Sequence, residues 1–109
     1  MTTVAFPYMP LFVDDWLSSD RIDQLASDRA YGYMLLLMHQ WKDKQGYLPT
    51  NEKVLARWAR LTVAEVRPLL REFFVRRNGH YYNAKCREKW LAAKERSEHA
   101  KKAGEGRWN

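Results

Sequence analysis

Residues 51–82, NEKVLARWARLTVAEVRPLLREFFVRRNGHYY, decide how this 109-residue chain folds. Apolar residues recur at three- and four-residue steps in NEKVLARWAR and again in VAEVRPLLREFF, which predicts two short amphipathic helices. Leu61 and Thr62 join these helices, and an Asn78-Gly79 pair follows them. The stretch therefore predicts a helix, a turn, a second helix and then a tight hairpin.

The start of the second helix is marked by a capping box, in the sequence TVAE. The Thr62 hydroxyl is expected to accept from the Glu65 amide, while the Glu65 carboxylate accepts from the Thr62 amide. Leu61 and Val66 flank the box as a hydrophobic staple. One motif therefore predicts both the turn and the angle at which the chain enters the helix.

Pro68 lies inside this predicted helix. It lacks the amide that would bond back to Ala64, so we expect a kink or a break there. The residues of the two helices that are expected to face inward are Val54, Leu55, Trp58, Ala59, Val66, Leu69, Leu70 and Phe73.

Residues 74–84 form the predicted hairpin. Asn-Gly is the preferred pair for a two-residue type I′ turn, because both positions need a positive φ. This loop length sets Arg77 opposite His80, Arg76 opposite Tyr81 and Val75 opposite Tyr82. Two arginines and a histidine are therefore expected to lie close together near the tip.

A longer amphipathic helix is predicted upstream, from about Ser27 to Lys44. Its apolar stripe is wide enough for a central helix that other elements nearly surround. Gly32 in its interior costs about 1 kcal/mol relative to Ala, so we expect another segment to approach closely at that point. Gly46 is expected to stop the helix.

The N-terminal segment, residues 1–24, is expected to be an extended arm packed on the core. Pro7 and Pro10 exclude a regular helix near its start, although a short helical turn can begin at Asp14. Asp14 and Asp15 could be paired carboxylates for metal or acid-base chemistry. Because adjacent residues in a turn point apart, a capping or surface role is expected instead.

Downstream of the hairpin, the chain is predicted to return to helix from about Lys85. Residues 92–109 are expected to form a polar helix extension that ends in a flexible tail. Residues 25–91 then form the folded unit. The predicted fold class is mainly α with a small β-hairpin: a winged helix-turn-helix with an extended N-terminal arm and a long C-terminal helix.

Composition is that of one small globular domain, with 46% hydrophobic residues. No apolar run approaches the roughly 18 residues that a membrane span needs. The N-terminus also lacks the pattern of a secretory signal. The single Cys86 cannot form an internal disulfide, so a reducing, cytoplasmic setting is expected.

The net charge of +6 is distributed unevenly along the chain. Residues 1–49 carry four basic and six acidic side chains, a net charge of −2. Residues 50–109 carry fifteen basic and seven acidic side chains, a net charge of +8. This asymmetry is typical of a one-sided anion-binding surface, and the alternative is a well-solvated surface rich in Lys and Arg.

No group of residues indicates catalysis or cofactor binding. His39, His80 and His99 lie on different predicted elements and lack the spacing of metal ligands. Cys86 occupies an apolar helix position without an accompanying His or Asn motif, which favours a core thiol over a nucleophile. The glycines of Gly104-Glu105-Gly106 follow no strand and do not form a phosphate-binding loop. We expect neither a metal nor a cofactor, and no enzymatic activity.

The basic residues of the second half are the candidate nucleic-acid contacts. Arg67 and Arg71 are expected to face outward, and Arg67 is the best candidate for a base contact because Arg pairs bidentately with guanine. Pro68 between them argues against deep reading of a major groove. Alternatively, Arg67 pairs locally with Glu65 or Glu72. The predicted DNA-binding set is Arg60, Arg67, Arg71, Arg76, Arg77, His80, Lys85 and Lys89.

The order of several motifs resembles the YdaU-like family of bacterial and prophage proteins, a DUF1376-type domain of unknown function. The motifs are MPLFVDDWL, DQLASDRAYGYMLLLMHQW, GYLP, LARWARLTVAEVRPLLREFF and NGHYYNAKCREKW. Including the closing GRW, the resemblance covers about residues 9–108. It implies a winged-helix fold, frequent location in phage or prophage replication regions, and a replisome-organiser or primosome-type role.

The same resemblance implies no established functional residues. The chain departs from the family at Tyr31, where relatives often have a small residue, and at Tyr81, where they often have Trp. Longer members of the family continue into other regions, so this chain is interpreted as a fragment or a minimal member.

The resulting prediction is a nucleic-acid-binding winged helix whose partner is double-stranded DNA, in phage-type replication initiation or in transcriptional regulation. The alternative is a protein-interaction module with the winged helix as scaffold, used for dimerisation or to recruit a replicative helicase or loader. Pro68, the acidic first half and the polar C-terminal helix favour this alternative. No membrane partner is expected.

Overall fold

One long helix lies at the centre of the computed structural model, which describes residue 9 and residues 13–107, with side chains for all of these except residues 14, 15 and 100–107. Within this part, the fold is mainly helical with a small two-stranded antiparallel sheet. In chain order the elements are α1 (Val13–Leu17), α2 (Asp20–Asp23), α3 (Ser27–Lys42), α4 (Glu52–Ala59), α5 (Val63–Phe73), β1 (Val75–Arg77), β2 (His80–Tyr82) and α6 (Ala84–Arg107).

The central helix is α3, as its wide apolar stripe predicts. It packs against α4, α5 and α6, and residues such as Leu36 and Trp41 are buried between them. The close approach at Gly32 is also confirmed. A Cβ at this position would lie 2.8 Å from Leu61 Cδ1 and 2.9 Å from the Ala59 carbonyl oxygen. Only glycine therefore fits where α3 crosses the turn after α4.

The end of α3 differs from the prediction, because the helix stops at Lys42, two residues early. The Asp43 carboxylate accepts the backbone N–H groups of Gln45 at 3.0 Å and Tyr47 at 3.1 Å. These bonds turn the chain away from the helix axis. Gly46, expected to stop the helix, instead takes its positive φ of 77° inside this turn.

The turn between α4 and α5 begins with Arg60 in the left-handed conformation, at φ 59°. Its N–H donates to the Arg57 carbonyl at 3.1 Å, and the Leu61 N–H donates to the Ala56 carbonyl at 2.9 Å. This pair of bonds is the Schellman motif that closes many helices. A non-glycine residue in this conformation is unusual, and the sequence pattern did not predict it.

The capping box at the start of α5 is confirmed in both directions. The Glu65 N–H donates to Thr62 Oγ1 at 3.2 Å, and the Thr62 N–H donates to Glu65 Oε1 at 2.8 Å. The second carboxylate oxygen of Glu65 pairs with Arg29 on α3 at 3.0 Å. The Thr62 backbone hydrogen bond, chiefly, lowers the pKa of Glu65 below its usual range.

Of the kink or break expected at Pro68, the break is wrong, because α5 runs without interruption from Val63 to Phe73. Pro68 is exposed, and so is Ala64, whose carbonyl loses its intrahelical donor. Water can therefore satisfy that carbonyl, which removes the main reason for the helix to break.

The hairpin forms with the predicted register, in which Arg77 pairs with His80 across the Asn78-Gly79 turn. Both turn residues have the expected positive φ, 53° and 77°. Leu48, before α4, adds a further bridge to this sheet. Its N–H donates to the Tyr81 carbonyl at 2.7 Å and its carbonyl accepts the Tyr81 N–H at 3.0 Å.

A buried polar cluster joins α3 to the segment between β2 and α6. The Gln40 side chain accepts the Asn83 N–H at 2.7 Å and donates to the Asn83 carbonyl at 3.2 Å. The Asn83 amide donates to Tyr33 Oη at 3.1 Å and to the Phe73 carbonyl at 2.8 Å. Its oxygen accepts the Cys86 N–H at 2.9 Å and so caps α6.

The N-terminal segment from residue 13 to residue 23 is not an extended arm, since it forms α1 and α2. The Ser19 hydroxyl accepts the Ile22 N–H at 3.3 Å and caps α2, a local signal that the sequence analysis missed. Trp16 packs on the hydrophobic core, as expected of this segment.

The flexible tail expected within residues 92–109 is wrong as far as residue 107, because α6 continues to Arg107. The run of Ala, Lys and Glu after Ala92 favours helix, and each of two late glycines costs only about 1 kcal/mol against it. The predictions for residues 1–8, 10–12 and 108–109 lie outside the described residues.

Candidate nucleic-acid interface

Four exposed residues form one side of α5, here called the α5 face: Ala64, Arg67, Pro68 and Arg71. They lie three or four residues apart, so they are neighbours on the helix surface. The opposite side of α5 is fixed in the core by Val66, Leu69 and Leu70. The prediction that Arg67 and Arg71 face outward is confirmed. Arg71 forms no ion pair with another described residue.

Arg67 is already engaged by a carboxylate, although not by either predicted partner. Its Nε lies 2.7 Å from Glu52 Oε2 at the start of α4, while Glu65 and Glu72 pair with other arginines. The Arg67 side chain is 60% exposed, and such surface pairs contribute at most about 1 kcal/mol. An incoming phosphate could therefore replace Glu52 at little cost.

Arg60 lies at the turn that connects α4 with α5. Its left-handed backbone directs it away from the path of both helices. Its guanidinium carbon lies 5.9 Å from the centroid of the Tyr31 ring on α3. The contact is at the outer range of a cation–π interaction, so the charge remains at the surface.

The hairpin divides its cations between two faces, because paired residues share a face and successive residues alternate. Arg76 shares a face with Tyr81 and lies 5.9 Å from that ring. Arg77 and His80 lie on the opposite face. The expected cluster of two arginines and a histidine at the tip is therefore split, with Arg76 on one face and Arg77 and His80 on the other.

The face that carries His80 also carries an aromatic stack centred on Tyr47. The His80 ring lies 4.6 Å from the Tyr47 ring with 11° between the planes. The Tyr82 ring meets the same residue edge-on at 5.7 Å. The Arg87 guanidinium, from α6, lies over the Tyr47 ring at 4.1 Å. The stack thus joins the hairpin to α6.

Beside this stack is a depression of about 400 Å³, here called the hairpin pocket. Its described lining is Tyr47, Arg77, Asn78, Tyr82 and Arg87. These residues come from three separate parts of the chain, the loop after α3, the hairpin and α6. Of the predicted DNA-binding set, only Arg77 lines it.

Lys85 and Lys89, expected to continue the basic surface of the hairpin along the last helix, do not line the hairpin pocket. They line a different cavity, a groove of about 530 Å³ between α2 and α6. Residues on a helix are rotated by about 100° per position, so Arg87 lies on the other side of the buried stripe of Cys86 and Trp90. The groove also contains Trp16, Ile22 and Phe73.

Burial shifts the pKa of two titratable groups, the buried Cys86 and the half-buried His39. Burial raises the pKa of the Cys86 thiol to about 11, and its Sγ lies 3.9 Å from the Leu37 carbonyl. Burial, followed by the charge of Lys42, lowers the pKa of His39, whose ring stacks on Trp58 at 4.2 Å. The described residues contain no group of three or more His, Cys, Asp or Glu that could hold a metal ion.

None of the described helices is both long enough and apolar enough to span a membrane. The longest, α6, is polar over most of its length beyond the buried Trp90.

Three residues of the hairpin surface were missed as site residues: Tyr47, Tyr82 and Arg87. Strand alternation could have placed Tyr82 on the face of His80. Tyr47 is brought next to the hairpin by the bridge that its neighbour Leu48 forms with Tyr81. Because a single residue pair forms this bridge, it leaves no periodic pattern in the sequence. Arg87 reaches the surface from α6, and nothing in the sequence indicates that contact.

A family model described as "Protein of unknown function (DUF1376)" matches residues 7–90. The match ends before the extent of about 108 that the motifs suggested. A relative in Escherichia coli (strain K12), "Uncharacterized protein YdaU", is 30% identical over 95 residues. That alignment spans 84% of this chain but only 32% of the relative. No solved structure matches. The family model covers most of the chain, which therefore belongs to the DUF1376 family.

Proposed function

We propose that this chain binds double-stranded DNA as a winged helix-turn-helix. The observation that carries the proposal is the order of its elements. A central helix, a bridging residue at Leu48, two helices joined by a short capped turn and an antiparallel hairpin follow one another. This is the order of a winged helix, in which α5 is the recognition helix and the hairpin is the wing.

The distribution of charge supports the same function. Arg67 and Arg71 lie on the exposed α5 face, and Arg76 and Arg77 lie on the exposed strand β1 that follows directly. Arginines on both elements can contact phosphates on either side of a groove. Besides the arginines, the α5 face presents only the small side chains of Ala64 and Pro68.

Pro68 bears on how the bases would be read. It offers no donor, and Ala64 offers only a methyl group, so the middle of the α5 face makes no hydrogen bonds to base edges. We therefore expect affinity to come mainly from phosphate contacts, with Arg71 and the hairpin as the largest contributors. Arg67 contacts a base only after it leaves Glu52.

Fluorescence anisotropy with labelled duplex DNA tests the proposal. We expect the combined Arg71→Gln, Arg76→Gln and Arg77→Gln variant to bind at least about tenfold more weakly, because three phosphate contacts are lost. The matched control removes the same charge elsewhere, through Lys42→Gln, Lys94→Gln and Arg96→Gln, which all lie at exposed positions. Equal losses in the two variants would contradict a localised interface.

The biological setting is a further part of the proposal. The family resemblance implies phage or prophage DNA replication initiation or its regulation. A complementation assay in a prophage strain, with the triple arginine variant in place of the wild-type chain, tests this. We expect replication to be lost with the variant and kept with the charge-matched control.

The second candidate function is a protein-interaction module that dimerises or recruits a replicative helicase or loader. The exposed polar surface of α6 over residues 94–99 favours it, since that part of the helix contributes no residue to the hydrophobic core. If biological activity survives in the triple arginine variant while changes on this part of α6 abolish it, the interaction function replaces DNA binding.

A further inference from the structure

The hairpin pocket is lined by groups that donate hydrogen bonds. Two guanidinium groups, two phenol hydroxyls and one carboxamide come from Arg77, Arg87, Tyr47, Tyr82 and Asn78. No carboxylate is among the described lining residues. Two fixed positive charges with neutral donors and no competing anion are the chemistry that binds an oxyanion, and paired arginines favour phosphate in particular.

Arg87 is held in position before any ligand binds. Its guanidinium lies 4.1 Å over the Tyr47 ring, and one terminal nitrogen donates to the Gln45 carbonyl at 3.4 Å. Its Nε is buried and has no hydrogen-bond partner among the described residues. A buried donor without an acceptor is unfavourable, so part of the hydrogen-bonding capacity of Arg87 is unmet.

Arg77 brings the second charge from the other side of the pocket. It is exposed at the end of β1, immediately before the Asn78-Gly79 turn, and it forms no ion pair with a described residue. The turn residues adopt the positive φ of a type I′ turn. Arg77 and Arg87 therefore reach the same pocket from two different elements, β1 and α6.

We propose that the hairpin pocket binds a nucleotide phosphate, with Arg77 and Arg87 contacting its oxygens. Its volume of about 400 Å³ exceeds what a phosphate requires and is within the range of pockets that hold small molecules, so the attached sugar also fits. Tyr82, which lines the pocket, offers an aromatic ring for contact with a base. The assignment of this phosphate to a DNA strand rests on the proposed function. Binding of a free nucleotide does not, because a free nucleotide offers the same chemistry.

Side-chain NMR of the ¹⁵N-labelled full chain tests this directly through the Arg87 Nε–H signal, assigned by its loss in Arg87→Gln. The probes are inorganic phosphate, thymidine monophosphate and a short oligothymidine, with sodium chloride at equal ionic strength as the blank. We expect all three probes to shift the Arg87 signal and slow its exchange with water, while the Arg96 signal on the same helix does not move. Equal responses from Arg87 and Arg96, or none, would overturn the pocket.

Variants give an independent measure. We expect Arg87→Gln and Arg77→Gln each to weaken phosphate binding by about tenfold or more, and Arg87→Lys to recover only part of the loss because a point charge replaces a planar fork. Arg96→Gln is the matched control. Arg77 is exposed at a strand end, so its variant serves if Arg87→Gln does not fold; unchanged binding in folded Arg77→Gln contradicts the proposal.

The two sources of phosphate, and the two proposals, are separable. Tighter binding of oligothymidine than of the mononucleotide assigns the pocket to a strand, and the reverse assigns it to a free nucleotide; both support the pocket. If duplex DNA binds but Arg87 does not respond, the pocket is refuted and the DNA-binding function stands. If phosphate moves the Arg87 signal but no DNA binds, the pocket stands and the DNA-binding function is refuted.

Discussion

At the scale of single residues, Gln40 and Asn83 connect parts of the chain that are far apart in sequence. The Gln40 amide bonds both backbone groups of Asn83, and the Asn83 side chain bonds α5 and α6 as well as Tyr33. Gln40 is fully buried, so neither partner has water as an alternative. This cluster fixes where the hairpin ends and α6 begins.

Replacement of Gln40 by leucine is expected to destabilise the fold by about 1–3 kcal/mol. The substitution leaves the Asn83 N–H buried without a partner, whereas the Asn83 carbonyl keeps its bond from the Arg87 N–H at 3.0 Å. Urea denaturation of both proteins measures the loss. The control is Gln45→Leu at an exposed position, for which we expect less than about 0.5 kcal/mol. A Gln40→Leu protein as stable as wild type would show that the cluster contributes little.

His39 makes stability depend on pH in the mildly acidic range. Burial lowers its folded-state pKa from the ordinary value of 6.5, so the unfolded chain takes up a proton first. Stability is therefore full above 6.5 and falls as the pH decreases from 6.5 towards the lowered folded pKa. We expect the urea midpoint to decrease across this window and His39→Gln to remove most of that decrease. A wild-type midpoint that rises on acidification would contradict the assigned direction.

At the scale of elements, the geometry of α4 and α5 depends on two motifs in consecutive residues. The Schellman motif at Arg60 closes α4, and the capping box at Thr62 and Glu65 opens α5. Four backbone groups that the helix ends would leave unpaired are satisfied within a few residues. The angle between the two helices, and therefore the direction of the α5 face, follows from this turn.

Substitution of Thr62 by alanine is expected to cost about 1 kcal/mol, which for a chain of this size lowers Tm by about 4–8 °C. The hydroxyl that accepts the Glu65 N–H is lost, while the reciprocal bond to the Thr62 backbone remains available. Thr62→Ser, which keeps the hydroxyl, is the control. Thermal unfolding that gives equal Tm values for the Ala and Ser variants would show that the cap is not formed in solution.

At Arg60, glycine is expected to be more stable than alanine by about 1 kcal/mol, although glycine normally weakens a fold. Both variants remove the contact with Tyr31, so their difference isolates the left-handed backbone at φ 59°. Chemical denaturation of Arg60→Gly and Arg60→Ala measures that difference. An alanine variant of equal or greater stability would contradict the left-handed conformation.

The elements that could be predicted from sequence are those with a local chemical signal. The capping box at Thr62 correctly predicted the start of α5, and the Asn78-Gly79 pair correctly predicted the hairpin register. The apolar stripe of α3 correctly predicted a central helix. The predicted break at Pro68 was wrong for a reason that only the fold reveals. Pro68 removes the donor that would bond to the Ala64 carbonyl, but Ala64 is exposed. The continuation of α6 to Arg107 was not predicted, because Gly104 and Gly106 each weaken a helix. The preceding residues nevertheless favour helix.

At the scale of the whole molecule, the site was harder to predict than the fold, since its residues come from distant elements. The outward direction of Arg67 follows from helical periodicity, but its partner Glu52 lies on another helix. The separation of Arg76 from Arg77 follows from strand alternation. The meeting of Arg87 with Tyr47 depends on the packing of α6 against the loop after α3, which no local pattern encodes.

The charge asymmetry of the chain acts at this largest scale. The second half carries a net charge of +8 and supplies the α5 face, the hairpin and α6, while the first half carries −2. Counterion release from DNA makes binding by such a surface weaken steeply as salt is added. If the positive charge were only a solvated surface that aids solubility, no duplex would be bound even at low salt.

The salt dependence of duplex affinity is the measurement that tests DNA binding most directly. Anisotropy titrations at several salt concentrations should give a linear plot of log K against log salt. For three to five phosphate contacts we expect a slope of about −3 to −4.5, reduced by about 2 to 3 in the Arg71, Arg76 and Arg77 triple variant. Absence of binding at low salt, or an affinity that does not change with salt, would contradict a phosphate-contacting interface on α5 and the hairpin.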